Sequence, residues 1–355
     1  MPHLFEPLAL RSVTLSNRIG VSPMCEYSSE DGFAGDWHLV HLGSRAVGGA
    51  ALVLTEATAV EARGRISPRD LGLWKDAHVE PLARIVRFVE SQGAVPGVQL
   101  AHAGRKASTA VPWEGGAGLG PEQGGWEPVA PSAVPFSDRT RMPRQMTPED
   151  IAQVVESFAA AARRARAAGF RVVELHFAHG YLVHEFLSPL SNRRQDAWGG
   201  GFEQRIRLAL EITRAVRSGW PEALPLLARL SCTDWVEGGW TLDETVELAR
   251  RLAAEGVDLV DCSSGGLVAN ARIDAVPGYQ VPFARRIRRE ARVGTAAVGL
   301  ISSPAQADAI VREGEADLVF LARAMLRDPY WPLHAAAELG HPEARRVPMQ
   351  YLRAY

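Results

Sequence analysis

The stretch TPEDIAQVVESFAAAARRARAAGF (147–170) is followed directly by RVVELHF (171–177), so a long amphipathic pattern leads into a short apolar run. Helical spacing of the apolar residues in the first piece predicts a helix, and the β-branched second piece predicts a buried strand. TLDETVELARRLAAEG (241–256) is a second helical pattern. Its Thr241 and Glu244 have capping-box spacing, and Gly256 predicts its end.

Eight apolar runs of strand length occur along the chain, at 18–24, 50–58, 94–102, 171–177, 224–231, 257–264, 295–301 and 316–323. A helix or a helix-sized segment follows each run, which favours a parallel sheet closed into a (β/α)8 TIM barrel. A doubly wound open sheet is the competing α/β arrangement. In a barrel, the chemistry is expected where the strands end. We assign residues 1–355 to one such domain.

Residues 108–146 interrupt the alternation of strands and helices. This segment follows the third strand and is rich in Pro, Gly, Trp and Ser. Its place on the catalytic face favours a lid or a substrate-shaping loop, and surface elaboration is the alternative. At the other end, VPMQYLRAY (347–355) carries aromatic and basic residues. We therefore expect the segment 340–355 to dock against protein, with a subunit interface as one candidate location.

Composition argues against several classes of function. Charged residues make up 23% of the chain, and the formal net charge is only -2. This balance does not indicate the excess of basic residues that is typical of proteins that bind nucleic acids or membrane surfaces. No run approaches 18 apolar residues, and the beginning of the chain lacks the pattern of a signal peptide. The three cysteines are far apart and form no C-x-x-C motif, so a reducing cytoplasm is the expected location.

Two arginines lie in apolar strand-like runs. Arg229 is inside LPLLARLS, where an unpaired guanidinium would cost several kcal/mol, so it needs a structural carboxylate or an anionic ligand. Arg323 ends the eighth run, and Gly299 gives backbone room after the seventh. Loops after strands seven and eight commonly bind phosphate in barrels. Two arginines at one mouth favour a phosphorylated cofactor over two separate structural ion pairs.

A pair of histidines follows the fourth strand. Glu174 and His176 share one strand face, whereas His179 would face the other way if the strand continued. A turn assisted by Gly180 would bring the two rings together. A structural role is the alternative, and two histidines without a further ligand are too few for zinc. Two imidazole N–H groups converging on one oxygen would polarise a carbonyl group.

The first strand ends in SPMCEY (22–27), which offers backbone contacts and an apolar surface to a flat ring. Cys25 is either an ordinary buried thiol or a group that tunes a redox cofactor. Tyr27 is either a packing residue or a hydrogen-bond donor.

On the third strand, the amide of Gln99 must find partners, and the edge of a flavin ring presents suitable ones. Lys106, in the following loop, is expected to be solvated. The glycines of GGAGLG (115–120) lie in the Pro-rich segment without a flanking strand and helix, so we reject them as a dinucleotide fingerprint. A nicotinamide donor would then visit the face used by the substrate and leave.

The motif HFAHGYLVHEFLSPLSN (176–192), together with SPMCEY and QLAHAGRKA (99–107), resembles the old yellow enzyme family of FMN-dependent TIM barrels. The resemblance extends over nearly the whole chain and is greatest to the thermophilic-like branch of NADPH dehydrogenases and xenobiotic reductases. DAWGGGFEQR (196–205) departs from the family pattern, because Gly201 replaces a Ser and Gln204 an Asn. We expect altered local hydrogen bonding there and unchanged chemistry.

The resemblance implies roles for individual residues. The expected contacts of a tightly but non-covalently bound FMN are Ser22, Pro23, Met24, Cys25, Ala57, Gln99, Arg229, Gly299, Ala322 and Arg323. Among these, Arg229 would stabilise the anionic reduced ring and Cys25 would modulate its potential. His176 and His179 would hold a carbonyl oxygen, Tyr181 would donate a proton, and Tyr27 would touch the substrate. Arg353 would reach the site of a neighbouring subunit, which implies a homodimer or homotetramer.

The implied activity is an ene-reductase that uses NADPH or NADH to reduce the C=C bond of activated alkenes, with enones and nitro compounds as candidate substrates and without a metal or nucleic acid. A dienoyl-CoA-type reductase is a rival, but its extra domain and clustered cysteines are missing from this sequence. A non-redox lyase or isomerase acting on a phosphorylated substrate would also explain Arg229 and Arg323. A flavin-binding protein without turnover is the third alternative.

Overall fold

A computed structural model describes residues 3–354 of the chain. Its strands are β1 (Leu8–Leu10), β2 (Val13–Leu15), β3 (Ile19–Val21), β4 (Leu52–Ala59), β5 (Val95–Ala101), β6 (Val129–Ala130), β7 (Arg144–Gln145), β8 (Val172–Phe177), β9 (Leu226–Ser231), β10 (Leu259–Ser263), β11 (Gly294–Ala297) and β12 (Leu318–Leu321). Eight of them form a closed parallel barrel in the order β3-β4-β5-β8-β9-β10-β11-β12. Tyr355, the last residue of the expected docking segment, lies outside the described residues.

The helices cover the outside of the barrel. They are α1 (Asp36–Val47), α2 (Val79–Ser91), α3 (Pro148–Ala168), α4 (Leu182–Leu187), α5 (Phe202–Gly219), α6 (Leu242–Ala254), α7 (Val281–Ala291), α8 (Pro304–Arg312), α9 (Arg323–Arg327) and α10 (Trp331–Glu338). Short 3-10 helices also occur, at Ala62–Gly64, Asp76–His78, Gly104–Lys106, Pro112–Glu114, Pro121–Gln123, Pro342–Ala344 and Met349–Ala354. Among the described helices, none combines the length and apolar character needed to cross a bilayer.

The predicted TIM barrel is confirmed, and the open sheet is wrong. Each of the eight predicted runs contains or overlaps one barrel strand, and β12 pairs with β3 to close the ring. The two quoted helical patterns form α3 and α6, and both begin with the reciprocal hydrogen bonds of a capping box. Thr147 and Thr241 are the N-caps of these helices. Local signals therefore position the helices, and the pairing of strands fixes the barrel.

The hydrophobic core has an inner and an outer part. The inner part fills the barrel with side chains that include Leu52, Val172, Leu227, Leu259 and Phe320. The hairpin of β1 and β2 packs Leu10, Val13 and Leu15 against the same cluster. The barrel interior is therefore dry and apolar below the level where its polar side chains begin. The larger outer part lies between the strands and the helices.

The segment 108–146 is folded over the barrel without long regular elements. It contains the small parallel sheet of β6 and β7 and the 3-10 helices Pro112–Glu114 and Pro121–Gln123. Trp113 on this segment packs edge-on against Tyr27, with ring centroids 5.7 Å apart. In the C-terminal segment, Tyr351 contacts Tyr330 while Met349 is 84% exposed. Docking of this segment onto a second subunit stays a prediction.

Candidate active site

The carboxyl ends of neighbouring strands bring the predicted polar residues to one mouth of the barrel. In the strand register, His176 on β8 is paired with Arg229 on β9, and Arg229 is paired with Asp261 on β10. Gln99 on β5 is paired with Glu174 on β8. Paired residues in parallel strands point to the same face. Their burial against the apolar filling shows that this face is the barrel interior.

The predicted turn after His176 is present. Strand β8 ends at Phe177, and both His179 (φ 60°) and Gly180 (φ 70°) have left-handed backbone conformations. A Cβ atom on Gly180 would lie 2.1 Å from the carbonyl oxygen of Gly266, so only glycine fits at this position. The turn places the ring centroids of His176 and His179 5.1 Å apart at an angle of 78°.

The two imidazoles keep nitrogens available for a ligand. Nδ1 of His176 is buried and has no hydrogen-bond partner within residues 3–354. His179 uses Nε2 for a 2.7 Å contact with the hydroxyl of Ser263, and its Nδ1 makes no hydrogen bond to the described residues. Burial and the nearby Arg229 hold the pKa of both histidines well below 6.5. The rings are therefore neutral, and each can donate one N–H.

Tyr181 stands beside this pair. Its ring centroid lies 5.1 Å from that of His176, at an angle of 76°. Burial, followed by the nearby thiol of Cys25, raises the pKa of Tyr181 well above its ordinary value. Its phenol consequently keeps its proton at physiological pH and can give it to a bound molecule.

Lys106 is not solvated as expected, and that prediction is wrong. Its ammonium group donates to the carbonyl oxygens of His179, at 2.8 Å, and of Gly266, at 3.1 Å. It also lies 4.9 Å from the ring centre of Tyr181. Burial lowers the pKa of Lys106 to about 8. This side chain ties the histidine turn to the loop after β10, a connection between distant segments that the sequence pattern did not reveal.

A polar layer of two carboxyls, one amide and one guanidinium lies within the barrel mouth. The amide of Gln99 donates to Oε1 of Glu174 at 2.7 Å. Nε of Arg229 is 3.0 Å from Oδ2 of Asp261, but the two are not aligned for a hydrogen bond. Asp261 thus provides the structural carboxylate that was one of the alternatives for Arg229. Arg229 is the register partner of His176, so its guanidinium remains at the barrel mouth although it contacts Asp261.

The stretch after β3 crosses one side of this mouth. Ser22 is buried, its backbone N–H donates to the carbonyl of Leu321 at 3.0 Å, and Pro23, Met24, Cys25 and Tyr27 are half-buried. Burial and the carboxyl of Asp70 raise the pKa of Cys25 well above 9, so its thiol is protonated. Cys25 is a free cysteine.

The carboxyl of Glu56, paired with His38, holds the backbone of the stretch that follows β3. Oε2 of Glu56 accepts a 3.0 Å hydrogen bond from the backbone N–H of Glu26, and its Oε1 lies 3.1 Å from Nε2 of His38. Ala57, the next residue, is buried where the pairing of β4 with β5 shifts its register. Sequence reasoning missed Glu56 and His38, because their partners come from separate segments.

A cavity of about 250 Å³ lies at the ends of β11 and β12. It is lined by Tyr279, Gln280, Gly299, Ala322, Arg323 and Arg327, among others. Gly299 has φ 115°, and a Cβ there would lie 2.6 Å from Nε2 of Gln280. Among the described residues, neither Arg323 nor Arg327 forms an ion pair. Two unpaired guanidinium groups and a glycine-bordered wall fit the phosphate end of FMN.

A second cavity, of about 450 Å³, lies next to Tyr181, which follows the histidine turn. Its walls combine Tyr27, Lys106 and Tyr181 with residues of the 108–146 segment, among them Pro112 and Phe136. The segment is thus placed to shape the space over the predicted ring site. Arg353 is exposed and does not line this cavity of its own chain.

Comparisons with known proteins agree with this geometry. Residues 3–341 match the NADH:flavin oxidoreductase / NADH oxidase family. The chain is 52% identical to an NADPH dehydrogenase of Geobacillus sp. (strain WCH70) over 354 residues, which cover 99% of this chain and 98% of that protein. It is 49% identical to an NADPH dehydrogenase of Geobacillus thermodenitrificans (strain NG80-2), with the same coverage of both chains.

Solved structures give the same result. Morphinone reductase in complex with tetrahydroNAD is similar with a TM-score of 0.80 and 27% identity, over 96% of this chain and 92% of that one. A 2-naphthoyl-CoA reductase complex has a TM-score of 0.86 and 28% identity over 96% of this chain, which spans only 53% of that larger protein. The chain belongs to the NADH:flavin oxidoreductase / NADH oxidase family. It is an NAD(P)H-dependent flavin oxidoreductase with FMN as its cofactor, and a non-redox lyase or isomerase is not favoured.

Proposed function

We propose that this flavin oxidoreductase is an ene-reductase, which reduces the C=C bond of α,β-unsaturated carbonyl compounds. The observation that carries the proposal is the pair of neutral imidazoles, 5.1 Å apart at the mouth, with a nitrogen left free on each ring. A carbonyl oxygen between them would accept two hydrogen bonds. Those bonds would draw electron density from the β-carbon and favour addition of a hydride there.

Protein side chains and backbone groups would bind FMN at its phosphate end and at the polar edge of its ring. FMN supplies the hydride that it has received from NAD(P)H. In this proposal Arg323 and Gly299 hold its phosphate end, and Gln99 and Arg229 hold the polar edge of its ring. The stretch from Ser22 to Cys25, together with Ala57 and Ala322, completes the contacts. The cavity at Arg323, the close approach at Gly299 and the polar layer at Arg229 support this placement.

His176 and His179 would stabilise the negative charge that develops on the carbonyl oxygen. Each donor placed at such a charge is worth about 2.7–4 kcal/mol. Burial keeps both rings neutral, so each ring has one N–H donor, and its second nitrogen can accept a hydrogen bond from a neighbouring group. Ser263 would act with His179: if its hydroxyl donates to Nε2, the ring proton stays on Nδ1, the nitrogen that has no other partner.

Tyr181 would complete the reaction by protonating the α-carbon. Its phenol is protonated and lies next to His176, and the ammonium of Lys106 faces its ring. A cation near the phenol would stabilise the phenolate left after proton transfer. Tyr27, across the same cavity, would contact the substrate.

The substrate and assembly belong to the same proposal. The cavity lined by Tyr27, Lys106 and Tyr181 would receive enones and nitro compounds, and the 108–146 segment would act as the lid that selects among them. Arg353 and the exposed C-terminal residues would serve a neighbouring subunit in a homodimer or homotetramer. Three free cysteines suit a reducing cytoplasm.

The test is a titration of the purified yellow holoenzyme with a para-substituted phenol. A phenolate held by both histidines over FMN should produce a long-wavelength charge-transfer band. The variant with both His176→Ala and His179→Ala should lose the band and keep FMN. Unchanged phenol affinity in that variant would disprove the role of the pair. Protein that binds FMN but oxidises no NADPH with 2-cyclohexenone would instead be a flavin-binding protein without turnover.

A further inference from the structure

We propose that Glu174 is a proton-holding positioning residue of the flavin site: it orients the amide of Gln99, and at a pH where it is ionised in the oxidised holoenzyme it takes up one proton when FMN is reduced. The proposal rests on the proposed placement of FMN against Gln99 and Arg229. It goes beyond that placement, because it gives the buried carboxyls beneath the ring a function in the redox step.

The contact between Glu174 and Gln99 is direct. The two residues are register partners on adjacent strands, and both are at most 1% exposed. Oε1 of Glu174 accepts the 2.7 Å hydrogen bond from Gln99, so the amide nitrogen of Gln99 is used and its oxygen is left to face another group. Oε2 of Glu174 is buried and has no hydrogen-bond partner within residues 3–354.

Charge balance explains why this carboxyl would hold a proton. Glu174 and Asp261 are both 0% exposed, and Arg229 is the cation that acts on both of them. If both carboxyls were ionised, the layer would carry one uncompensated negative charge in a dry space, which is costly. One shared proton makes the layer neutral. The two sites then titrate as a pair.

The contacts decide which of the two carboxyls keeps the proton. Asp261 lies 3.0 Å from the guanidinium of Arg229, which favours its ionised form. Glu174 has a neutral amide as its hydrogen-bond partner. Burial raises the pKa of Glu174, and the negative charge of Asp261 raises it further. The proton therefore resides on Glu174.

Few groups act on Glu174 besides these. Gln99 faces it from β5, Arg229 from β9, Asp261 from β10, and His176 is its neighbour on the same strand face. Below it, the barrel is filled by apolar side chains that include Leu227 and Leu259. Proton exchange with solvent must therefore pass through the mouth, where the flavin is placed.

Reduction of a flavin held against Arg229 would add negative charge there. That charge would attract the guanidinium and raise the pKa of Glu174 above its value in the oxidised holoenzyme. At a pH between the two values, a bound flavin would take up two electrons and one proton on reduction, and the Glu174 carboxylate would take one proton from solvent. By linkage, the reduction equilibrium then gains one extra factor of ten per pH unit, or about 30 mV for a two-electron couple.

The experiment measures the midpoint potential of bound FMN, without any alkene, against pH on both sides of about pH 8, the raised pKa of Glu174. The wild-type slope should become steeper by about 30 mV per pH unit above this pH. Glu174→Gln, which keeps the shape and an acceptor for Gln99 but cannot ionise, should remove the steeper segment. Glu185→Gln is the matched control, because Glu185 is also 0% exposed with its pKa raised to about 8 but lies on α4 and binds the backbone of Arg105.

A steeper segment that survives in Glu174→Gln, or is absent from wild type, would overturn the proposal. Loss of the segment in Glu185→Gln would do so too. If Glu174→Gln does not hold FMN, Asp261→Asn decides. Removing the Asp261 charge lowers the pKa of Glu174, so the steeper segment should begin at lower pH, and an unmoved segment would contradict the proposed role of Glu174. A protein that shows this pH dependence yet reduces no enone would contradict only the proposed function.

Discussion

Replacement of Gly180 by alanine tests the turn on which the histidine pair depends. The new Cβ would lie 2.1 Å from the carbonyl oxygen and 2.7 Å from the carbonyl carbon of Gly266, both of which are backbone atoms. A left-handed conformation costs an alanine about 1–2 kcal/mol. Overpacking typically adds about 1–3 kcal/mol. We therefore expect Gly180→Ala to lower the free energy of unfolding by about 2–5 kcal/mol.

The collision must also move His179 or the loop of Gly266, and Lys106 bonds to both of them. If His179 no longer reaches the carbonyl site, a bound phenolate loses one hydrogen bond to a charged oxygen. Such a bond is worth about 1.5–3 kcal/mol, so the dissociation constant should rise about ten- to hundredfold. The phosphate cavity lies at other strand ends, and FMN affinity should stay within a factor of about three.

The control is Gly200→Ala. Gly200 has φ +91°, and a Cβ added there would have no atom within 4 Å, so alanine meets backbone strain without a collision. Thermal unfolding with excess FMN and titration with para-hydroxybenzaldehyde compare the two variants. Gly200→Ala should lose about 1–2 kcal/mol and bind the phenol normally. Wild-type phenol affinity in Gly180→Ala would refute the claim that this turn aims His179.

Other variants test single contacts. Ser263→Ala should weaken phenol binding about two- to tenfold in a charge-transfer titration, because the hydroxyl contact that orients the His179 ring is lost; equal affinities would contradict this. Lys106→Met should raise the phenol dissociation constant, because the hydrogen bond from Lys106 to the carbonyl of His179 is lost. In wild type the phenol affinity should fall above about pH 8, where Lys106 loses its charge. A phenol affinity that does not change with pH would contradict this role of Lys106. Arg323→Ala should weaken FMN about ten- to hundredfold while riboflavin affinity stays constant, by fluorescence titration, because only FMN has the phosphate. Tyr181→Phe should slow flavin reoxidation by an enone in stopped flow and leave reduction by NADPH unchanged; equal slowing of both would exclude a proton-donor role.

The barrel was predictable because its signals are local. Strand runs, helical spacing and the capping boxes at Thr147 and Thr241 each lie within one element. The hairpin of β1 (Leu8–Leu10) and β2 (Val13–Leu15) was not predicted. Its strands have three residues each, too few for a periodic pattern, and its stability comes from packing under the barrel.

The site was predictable in part. Gly180 indicated the turn, because a glycine tolerates the backbone that a sharp change of direction needs. The left-handed conformation of His179 itself carried no sequence signal. Lys106 was misjudged because its two acceptors lie 73 and 160 residues further along the chain. Such distant partners are decided by the closure of the barrel, which no local pattern expresses.

The hydrogen-bond and charge partners of Glu174 likewise could not be predicted from the local sequence. Its place on the strand face of His176 followed from the two-residue period, and the structure agrees. Its partner Gln99 is 75 residues away, and Asp261 is on a strand two places further round the barrel. A function for the buried carboxyl of Glu174 could therefore be inferred only from the structure, which shows its neighbours.

Anaerobic mixing of the reduced holoenzyme with 2-cyclohexenone tests whether the enzyme reduces the C=C bond of an enone held by His176 and His179. The flavin absorbance reports reoxidation, and chromatography of the quenched mixture reports cyclohexanone. One cyclohexanone should form for each flavin reoxidised. The rate should be at least about a hundredfold lower in the variant with both His176→Ala and His179→Ala, because one such donor alone is worth that factor. Reoxidation without cyclohexanone, or an equal rate in that variant, would contradict it.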